Sequence, residues 1–178
     1  MGNQADLDKK GRHLTDVGRY EEAIAAFSEA LDAEPGNPSL LYNRGEALRR
    51  AGRLEEARFD LEAVLALEGE SADLLLALGL VAYESDDFDL AITRYEAALA
   101  LAPDYADAWN DLGVVHFRKG AYEDSLRCFQ KTIDLVPDHG EAWFNLHDAL
   151  EELGRFAEAR KAAEKLKSLG IRAGGEDD

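Results

Sequence analysis

Apolar positions along this chain recur with the three-to-four spacing of one helical face, and polar residues fill the positions between them. In one representative stretch, Trp109 and Leu112 share such a face. Gly120 then interrupts the pattern, and Leu126 and Phe129 lie in a second stretch with the same spacing. The pattern therefore predicts amphipathic helices that occur in pairs and are separated by short breaks.

Several sets of positions also repeat at a fixed interval of thirty-four residues. One set consists of glycines (Gly11, Gly45, Gly79 and Gly113), and another consists of bulky apolar or aromatic residues (Phe27, Leu61, Tyr95 and Phe129). Five ungapped repeats follow from this interval and make up one array, at 4–37, 38–71, 72–105, 106–139 and 140–173. Residues 174–178 remain as an acidic tail that we expect to be disordered.

The recurring glycines indicate how the two helices of a repeat meet. Each of them lies in the middle of a predicted helix, where Gly costs about 0.8 to 1 kcal/mol relative to Ala. Their recurrence at one place suggests that the facing helix comes too close for a Cβ atom. We therefore expect tight antiparallel helix pairs, and the pairs must stack because no single pair can bury its apolar face. The predicted fold class is an all-α solenoid.

Repeat 4 carries residues that resemble a known family. These residues are Trp109, Leu112 and Gly113, followed by Ser125, Phe129, Thr132 and Pro137. Their spacing is similar to the motif of the tetratricopeptide repeat. The resemblance implies a right-handed superhelix of five antiparallel helix pairs that serves as a protein-interaction scaffold. The departures from the motif include Lys10 and Arg44, which replace the usual Leu before the glycine, and His147, which replaces the glycine itself.

Composition excludes several classes of function. The chain has 37 Asp and Glu against 20 Lys and Arg, a net charge of −17, which argues against nucleic-acid binding. The longest apolar stretch, Leu74 to Tyr83, is too short for membrane insertion, which needs about 20 residues. The segment Met1 to Lys10 does not resemble a signal peptide, and Cys128 has no partner for an intrachain disulfide. We therefore expect a cytoplasmic protein.

Motifs of catalysis and metal binding are missing from the sequence. It contains no phosphate-binding loop, no GxSxG, no HExxH and no CxxC. The four histidines form no pair at a spacing of four residues, and the acidic segment 84–89 lacks the glycine and distal Glu of a calcium loop. We expect neither an enzyme nor a metal site, and no cofactor.

The resemblance implies that the first helices of the repeats line a concave channel that binds extended peptides or helices. Carried over place by place, the candidate peptide-binding residues are Tyr42, Asn43, Asp73, Leu76, Leu80, Tyr83, Asp107, Asn110, Val114, Phe117, Phe144 and Asn145. The asparagines among them can clamp a peptide backbone, because an amide both donates and accepts. We expect Phe117 to contribute little to the helix stack, in contrast to Phe129.

Charge predicts the kind of partner. Repeat 3 contains one base, Arg94, against seven acids, so the apolar candidates lie beside the most acidic repeat. A protein or peptide with an apolar-to-basic segment would suit a groove formed by repeats 3 to 5. Two alternatives stay open. The same apolar face can be buried in a homo-oligomer or by closure of the superhelix, and the chain can be a regulatory fragment of a larger enzyme.

Overall fold

The computed structural model describes residues 4–171, and within that range it contains ten α-helices and no β-strand. The first helices of the five repeats are α1 (Gln4–Asp16), α3 (Pro38–Arg50), α5 (Ala72–Glu84), α7 (Ala106–Arg118) and α9 (Gly140–Glu152). The second helices are α2 (Tyr20–Ala33), α4 (Leu54–Glu68), α6 (Phe88–Leu101), α8 (Tyr122–Leu135) and α10 (Phe156–Ser168). Each first helix begins at the first residue of a predicted repeat.

The chain divides into two compact units, one ending at Asp87 and the other beginning at Phe88. Unit 1 contains α1 to α5 and unit 2 contains α6 to α10, and within each unit consecutive helices pack against one another. The unit 2 core cluster consists of Leu126, Phe129, Ile133, Ala142, Leu146, Ala149, Leu150, Ala159 and Ala162. The predicted acidic tail at 174–178 lies outside the described residues.

Close approach between the paired helices is confirmed at three of the four recurring glycines, Gly11, Gly45 and Gly113. A Cβ atom added to Gly11 would lie 2.5 Å from the ring of Phe27, and one added to Gly113 would lie 2.5 Å from the ring of Phe129. At Gly45 the facing residue is Leu61, and the corresponding distance is 3.1 Å. The bulky series of the sequence therefore fills the space that the glycine series leaves open.

The turn between two helices of a repeat requires a left-handed backbone. Gly52 adopts φ +76°, and the amide of the next residue, Arg53, donates to the carbonyl of Leu48 at 2.9 Å. This geometry closes the end of α3 and is most accessible to glycine. Repeat 3 has Asp86 at the same place, and it too adopts a positive φ, +59°.

A buried ion pair explains the polar residue at position 44. The Arg44 guanidinium donates from Nε and Nη2 to the two carboxylate oxygens of Asp60 on α4, at 2.7 and 2.8 Å, and from Nη1 to Ser28 Oγ at 3.2 Å. Hydrogen bonding to the Asp60 carboxylate raises the pKa of Arg44. The Asp60 side chain is almost fully buried, which is tolerated because both of its oxygens are paired.

The helix contact at position 113 yields a stability prediction. Replacing Gly113 by Ala should destabilise the protein by about 1 to 3 kcal/mol, because the new methyl group would overlap the Phe129 ring. Gly45→Ala should cost less, because the Leu61 side chain can shift away from the new methyl group. The gain in helix propensity, about 1 kcal/mol, offsets part of the cost at both positions. Urea unfolding monitored by circular dichroism measures both. Adding Phe129→Leu should partly restore the Gly113→Ala variant, and equal costs at positions 45 and 113 would contradict this account.

The turn yields a second prediction, in which packing plays no part. Neither Gly52 nor Gly36 has a neighbouring atom within 4 Å of an added Cβ, but only Gly52 has a positive φ. Gly52→Ala should therefore lower the free energy of unfolding by about 1 to 2 kcal/mol, the cost of a left-handed backbone for an L-residue. Gly36→Ala is the matched control and should change stability by less than about 0.5 kcal/mol. Thermal unfolding of both variants tests this difference.

Candidate peptide-binding faces

The twelve predicted site residues fall into two sets, one in each unit, and each set is described by itself. The unit 1 set consists of Tyr42 and Asn43 on α3 and of Asp73, Leu76, Leu80 and Tyr83 on α5. The unit 2 set consists of Asp107, Asn110, Val114 and Phe117 on α7 and of Phe144 and Asn145 on α9. All twelve therefore lie on first helices, which is where the repeat pattern predicted them.

The unit 1 set presents half-buried apolar and aromatic side chains. Tyr42, Leu76 and Leu80 are all half-buried, and Asp73 is exposed. Burial raises the pKa of the Tyr42 hydroxyl, and the nearby Glu46 charge adds to the effect. The Tyr42 phenol is therefore neutral at physiological pH and can offer both a ring and a hydrogen-bonding group.

An ionic network lies on the same two helices of unit 1. The guanidinium of Arg49 binds Glu46 on its own helix at 2.7 Å and also pairs with Glu84 on α5. Arg50 Nε donates to Glu46 Oε1 at 2.7 Å. Burial would raise the pKa of the Glu46 carboxyl, but hydrogen bonds and charge from Arg49 and then Arg50 outweigh burial and lower it. This network joins α3 to α5, and it leaves Arg49 committed to partners within the protein.

The asparagines bind residues within the protein. Asn43 Nδ2 donates to Asp8 Oδ1 on α1 at 3.2 Å. Three repeats later, Asn145 Nδ2 donates to Asn110 Oδ1 on α7 at 3.1 Å. Both bonds join one first helix to the preceding first helix at the same register. Asn110 is only 3% exposed, so its main role in the structure is to hold α9 against α7. These hydrogen bonds were not predicted from the sequence.

The expectation that Phe117 contributes little to packing is wrong. Its ring meets the ring of Tyr122 on α8 edge to face, with centroids 5.3 Å apart and an interplanar angle of 64°. Phe117 and Val114 both pack against the unit 2 core cluster. The side chain thus lies at the border between the face of α7 and its contact with α8, and truncating it should affect stability.

Phe144 and the acids around it give the unit 2 set its chemical character. Phe144 is half-buried on α9, and the exposed Glu141 lies three residues before it on the same helical face. Asp107 on α7 has a side chain that is 69% exposed, and its Oδ1 lies 3.5 Å from Nε2 of His139. An apolar side chain flanked by accessible carboxylates suits a ligand that is itself apolar and basic.

One group of possible ligand atoms was not found from the sequence. Donor atoms of His147, Asp148 and Glu151 on α9 all lie within 4.8 Å of one another. His147 Nδ1 is already 3.0 Å from Asp148 Oδ1, and Nε2 is 3.7 Å from Glu151 Oε1. The search for histidine pairs overlooked this group, although the spacing of His147 and Glu151 was visible in the sequence.

The single cysteine is chemically quiet in this environment. Cys128 is buried on α8, and burial, together with the charge of Asp124, raises the pKa of its thiol to about 12. The thiolate is the nucleophilic form, and with this raised pKa almost none of it is present near neutral pH.

Among the helices that the structure describes, none is long and apolar enough to cross a lipid bilayer.

The chain is similar to several solved structures. A structure described as MamA 41-end from Desulfovibrio magneticus RS-1 aligns with a TM-score of 0.83 and 26% identity, covering 96% of this chain and 97% of that chain. A crystal structure of MamA gives a TM-score of 0.79 and 28% identity over 90% of this chain and 94% of that chain. Another crystal structure, of MamA protein, gives a TM-score of 0.78 and 27% identity over 93% of this chain and 91% of that chain. No curated protein sequence matches the chain.

Two family models match most of the chain. A tetratricopeptide repeat model matches residues 9–74 and 76–126, and a second tetratricopeptide repeat model matches residues 104–169. Together with the solved structures, these matches confirm the predicted fold class, an all-α array of helical repeats. The chain belongs to the tetratricopeptide repeat family.

Proposed function

We propose that this chain is a protein-interaction scaffold whose first helices bind a partner segment that is both apolar and basic. The observation that carries the proposal is the position of Phe144, a half-buried aromatic side chain on a first helix with exposed acids beside it. Membership of the tetratricopeptide repeat family supports a scaffold role. The proposal assigns binding, and no catalytic step, to this chain.

The charge of the two faces supports the choice of partner. In unit 2, Asp107 on α7 and Glu141 on α9 are exposed, and Glu141 lies three residues before the half-buried Phe144. In unit 1, Asp73 is exposed on the same helix as the half-buried Leu76 and Leu80. A partner with Lys or Arg beside large apolar residues would bury its apolar side chains and place its cations near these acids. Each face can contribute separately to such binding.

Side-chain hydrogen bonds between neighbouring first helices reduce the number of residues that are free to contact the partner. The side-chain amides of Asn43 and Asn145 each donate a hydrogen bond to an acceptor on a neighbouring first helix. Asn110 is buried. We therefore assign the binding energy mainly to the apolar side chains Leu80 and Phe144, with the amides holding the first helices in place. A buried aromatic anchor typically contributes more than a solvated amide.

Truncation of Phe144 tests the proposal. The probe is a short fluorescein-labelled peptide, amidated at its C-terminus, in which Lys alternates with Leu and Phe; we call it the lysine probe. Phe144→Ala should weaken binding of the lysine probe by about 1 to 3 kcal/mol, measured by fluorescence anisotropy at physiological salt. The expected cause is the loss of an aromatic side chain that becomes buried in the complex.

Phe59→Ala is the matched control for this truncation. Phe59 is 73% exposed but lies on a second helix, α4, so its removal should leave binding of the lysine probe unchanged. Circular dichroism should show that both variants remain folded. If the two truncations weaken binding equally, or if the lysine probe shows no saturable binding, the first-helix assignment is wrong.

Charge reversal at the acids gives a kinetic prediction. Asp73→Lys in unit 1 and Asp107→Lys in unit 2, made separately, should each slow association of the lysine probe and leave its dissociation rate nearly unchanged. Exposed charges act mainly on encounter, and their effect is screened by salt. Stopped-flow measurements between about 0.05 and 0.5 M salt should show the difference from the unmodified protein shrinking as salt rises. A difference that is independent of salt would contradict electrostatic steering of the partner by these two acids.

A further inference from the structure

A cleft in unit 2 lies between the second helices α8 and α10, away from the face that carries Phe144. Its volume is about 600 Å³. Trp143, Leu146 and Leu150 of α9 line the cleft together with Leu126 of α8 and Ala162 of α10. A space of this size, lined by apolar side chains, is within the range that accommodates ligand groups. None of these residues belongs to the candidate peptide-binding faces.

The same place in unit 1 shows what normally fills such a cleft. Three repeats earlier, a smaller cleft of about 390 Å³ lies between α2 and α4. Its lining includes Arg44 and Asp60, which correspond in register to Leu146 and Ala162. In unit 1 the paired guanidinium and carboxylate occupy the floor of the cleft. In unit 2 two apolar residues replace this ion pair, so the floor is apolar and the cleft is larger.

The rim of the unit 2 cleft carries an excess of positive charge. Its bases are Arg127, Lys131, Arg155 and Lys161, and its acids are Asp134 and Glu158; Arg127 pairs with Asp124 outside the lining, so the excess comes from the two lysines. Both acids are already engaged. The Arg155 guanidinium binds Glu158 through two hydrogen bonds of 2.8 and 2.7 Å, and Asp134 accepts from Gln130 at 3.0 Å.

Two of the rim bases remain available to an external ligand. Lys131 and Lys161 are exposed, and neither makes an ion pair with any residue of the described range 4–171. Their position is unusual because the whole chain carries a net charge of −17. The local charge of the cleft is therefore opposite in sign to that of the protein and to that of the acids around Phe144. A ligand for this cleft should be negatively charged.

We propose that the cleft between α8 and α10 is a second docking site, which binds an acidic segment of a partner protein through a large apolar side chain. The apolar side chain would lie over Leu146 and Ala162, and flanking Asp or Glu residues would pair with Lys131 and Lys161. The scaffold would then hold two partners of opposite charge, one on the first helices and one between second helices. This proposal rests on the cleft alone and does not require the first-helix site.

The test uses a probe of the opposite charge, the glutamate probe. It is a short labelled peptide, acetylated and amidated at its ends, in which Glu alternates with Leu and Trp. Fluorescence anisotropy should show saturable binding at physiological salt. Lys161→Glu should weaken that binding about tenfold or more, through lost attraction and added repulsion.

The adjacent Arg160→Glu is the matched control, because it makes the same change of charge on the same helix at a residue outside the cleft lining. It should alter binding less than about twofold, which is a small change in free energy. Equal loss from Arg160→Glu and Lys161→Glu would reveal a general charge effect and overturn the proposal. Absence of saturable binding would overturn it as well.

A second variant tests the floor of the cleft. Leu146→Arg combined with Ala162→Asp reproduces the ion pair of unit 1 and should abolish binding of the glutamate probe. If this variant fails to fold, as judged by circular dichroism, the comparison of positions 160 and 161 still decides the question. Undiminished binding by a folded double variant would overturn the proposal.

The same variants separate this site from the first-helix site and from self-association. Phe144→Ala should leave binding of the glutamate probe unchanged, and Lys161→Glu should not weaken binding of the lysine probe. Loss of glutamate-probe binding in Phe144→Ala would overturn a separate cleft site without affecting the first-helix proposal. Sedimentation velocity should show that the cleft does not mediate self-association. If the unmodified protein associates and Lys161→Glu removes that association, the cleft binds a second copy of this chain.

Discussion

The close contact between a glycine on one helix and a bulky side chain on its partner is the packing constraint that the helix pairs of repeats 1, 2 and 4 share. At Gly113 the absence of a Cβ lets the Phe129 ring lie against the α7 backbone, and Gly11 and Phe27 make the same contact in repeat 1. This contact fixes which face of each helix is buried within the pair. The two binding sites that we propose use faces outside this contact: one on the first helices and one between α8 and α10. The packing inside a helix pair therefore determines which helix faces can bind a partner.

Departures from the repeat pattern show where the structure uses other physics. Arg44 replaces an apolar residue and is stabilised by Asp60 on the facing helix, so the ion pair takes over the space-filling role of a leucine. The reverse holds three repeats later, where Leu146 and Ala162 leave the equivalent space apolar. The exchange makes the floor of the unit 2 cleft apolar and the cleft larger, whereas the difference in charge comes from other lining residues, Lys131 and Lys161 among them. The same backbone architecture can thus present chemically distinct surfaces.

Much of the fold could be predicted from the sequence because the repeat interval records local packing. The helix starts, the turn at Gly52 and the contact between Gly113 and Phe129 all follow from residues at fixed places in the repeat. Contacts between repeats were harder to predict. The bond from Asn145 to Asn110 depends on how one first helix lies against the next, which a single repeat does not encode. Phe117 was misassigned because its side chain lies at the edge of two faces and turns toward Tyr122.

The central claim is that a basic, apolar partner binds on the first helices of the repeats. Amide chemical-shift mapping by NMR, during titration of the isotopically labelled protein with the lysine probe, tests it most directly because it reports every helix at once. The account predicts that the largest saturable shifts occur on α5 and α9, around Leu80 and Phe144, with little change along α4, α8 and α10. Shifts concentrated on those second helices, or distributed evenly over the acidic surface, would contradict it.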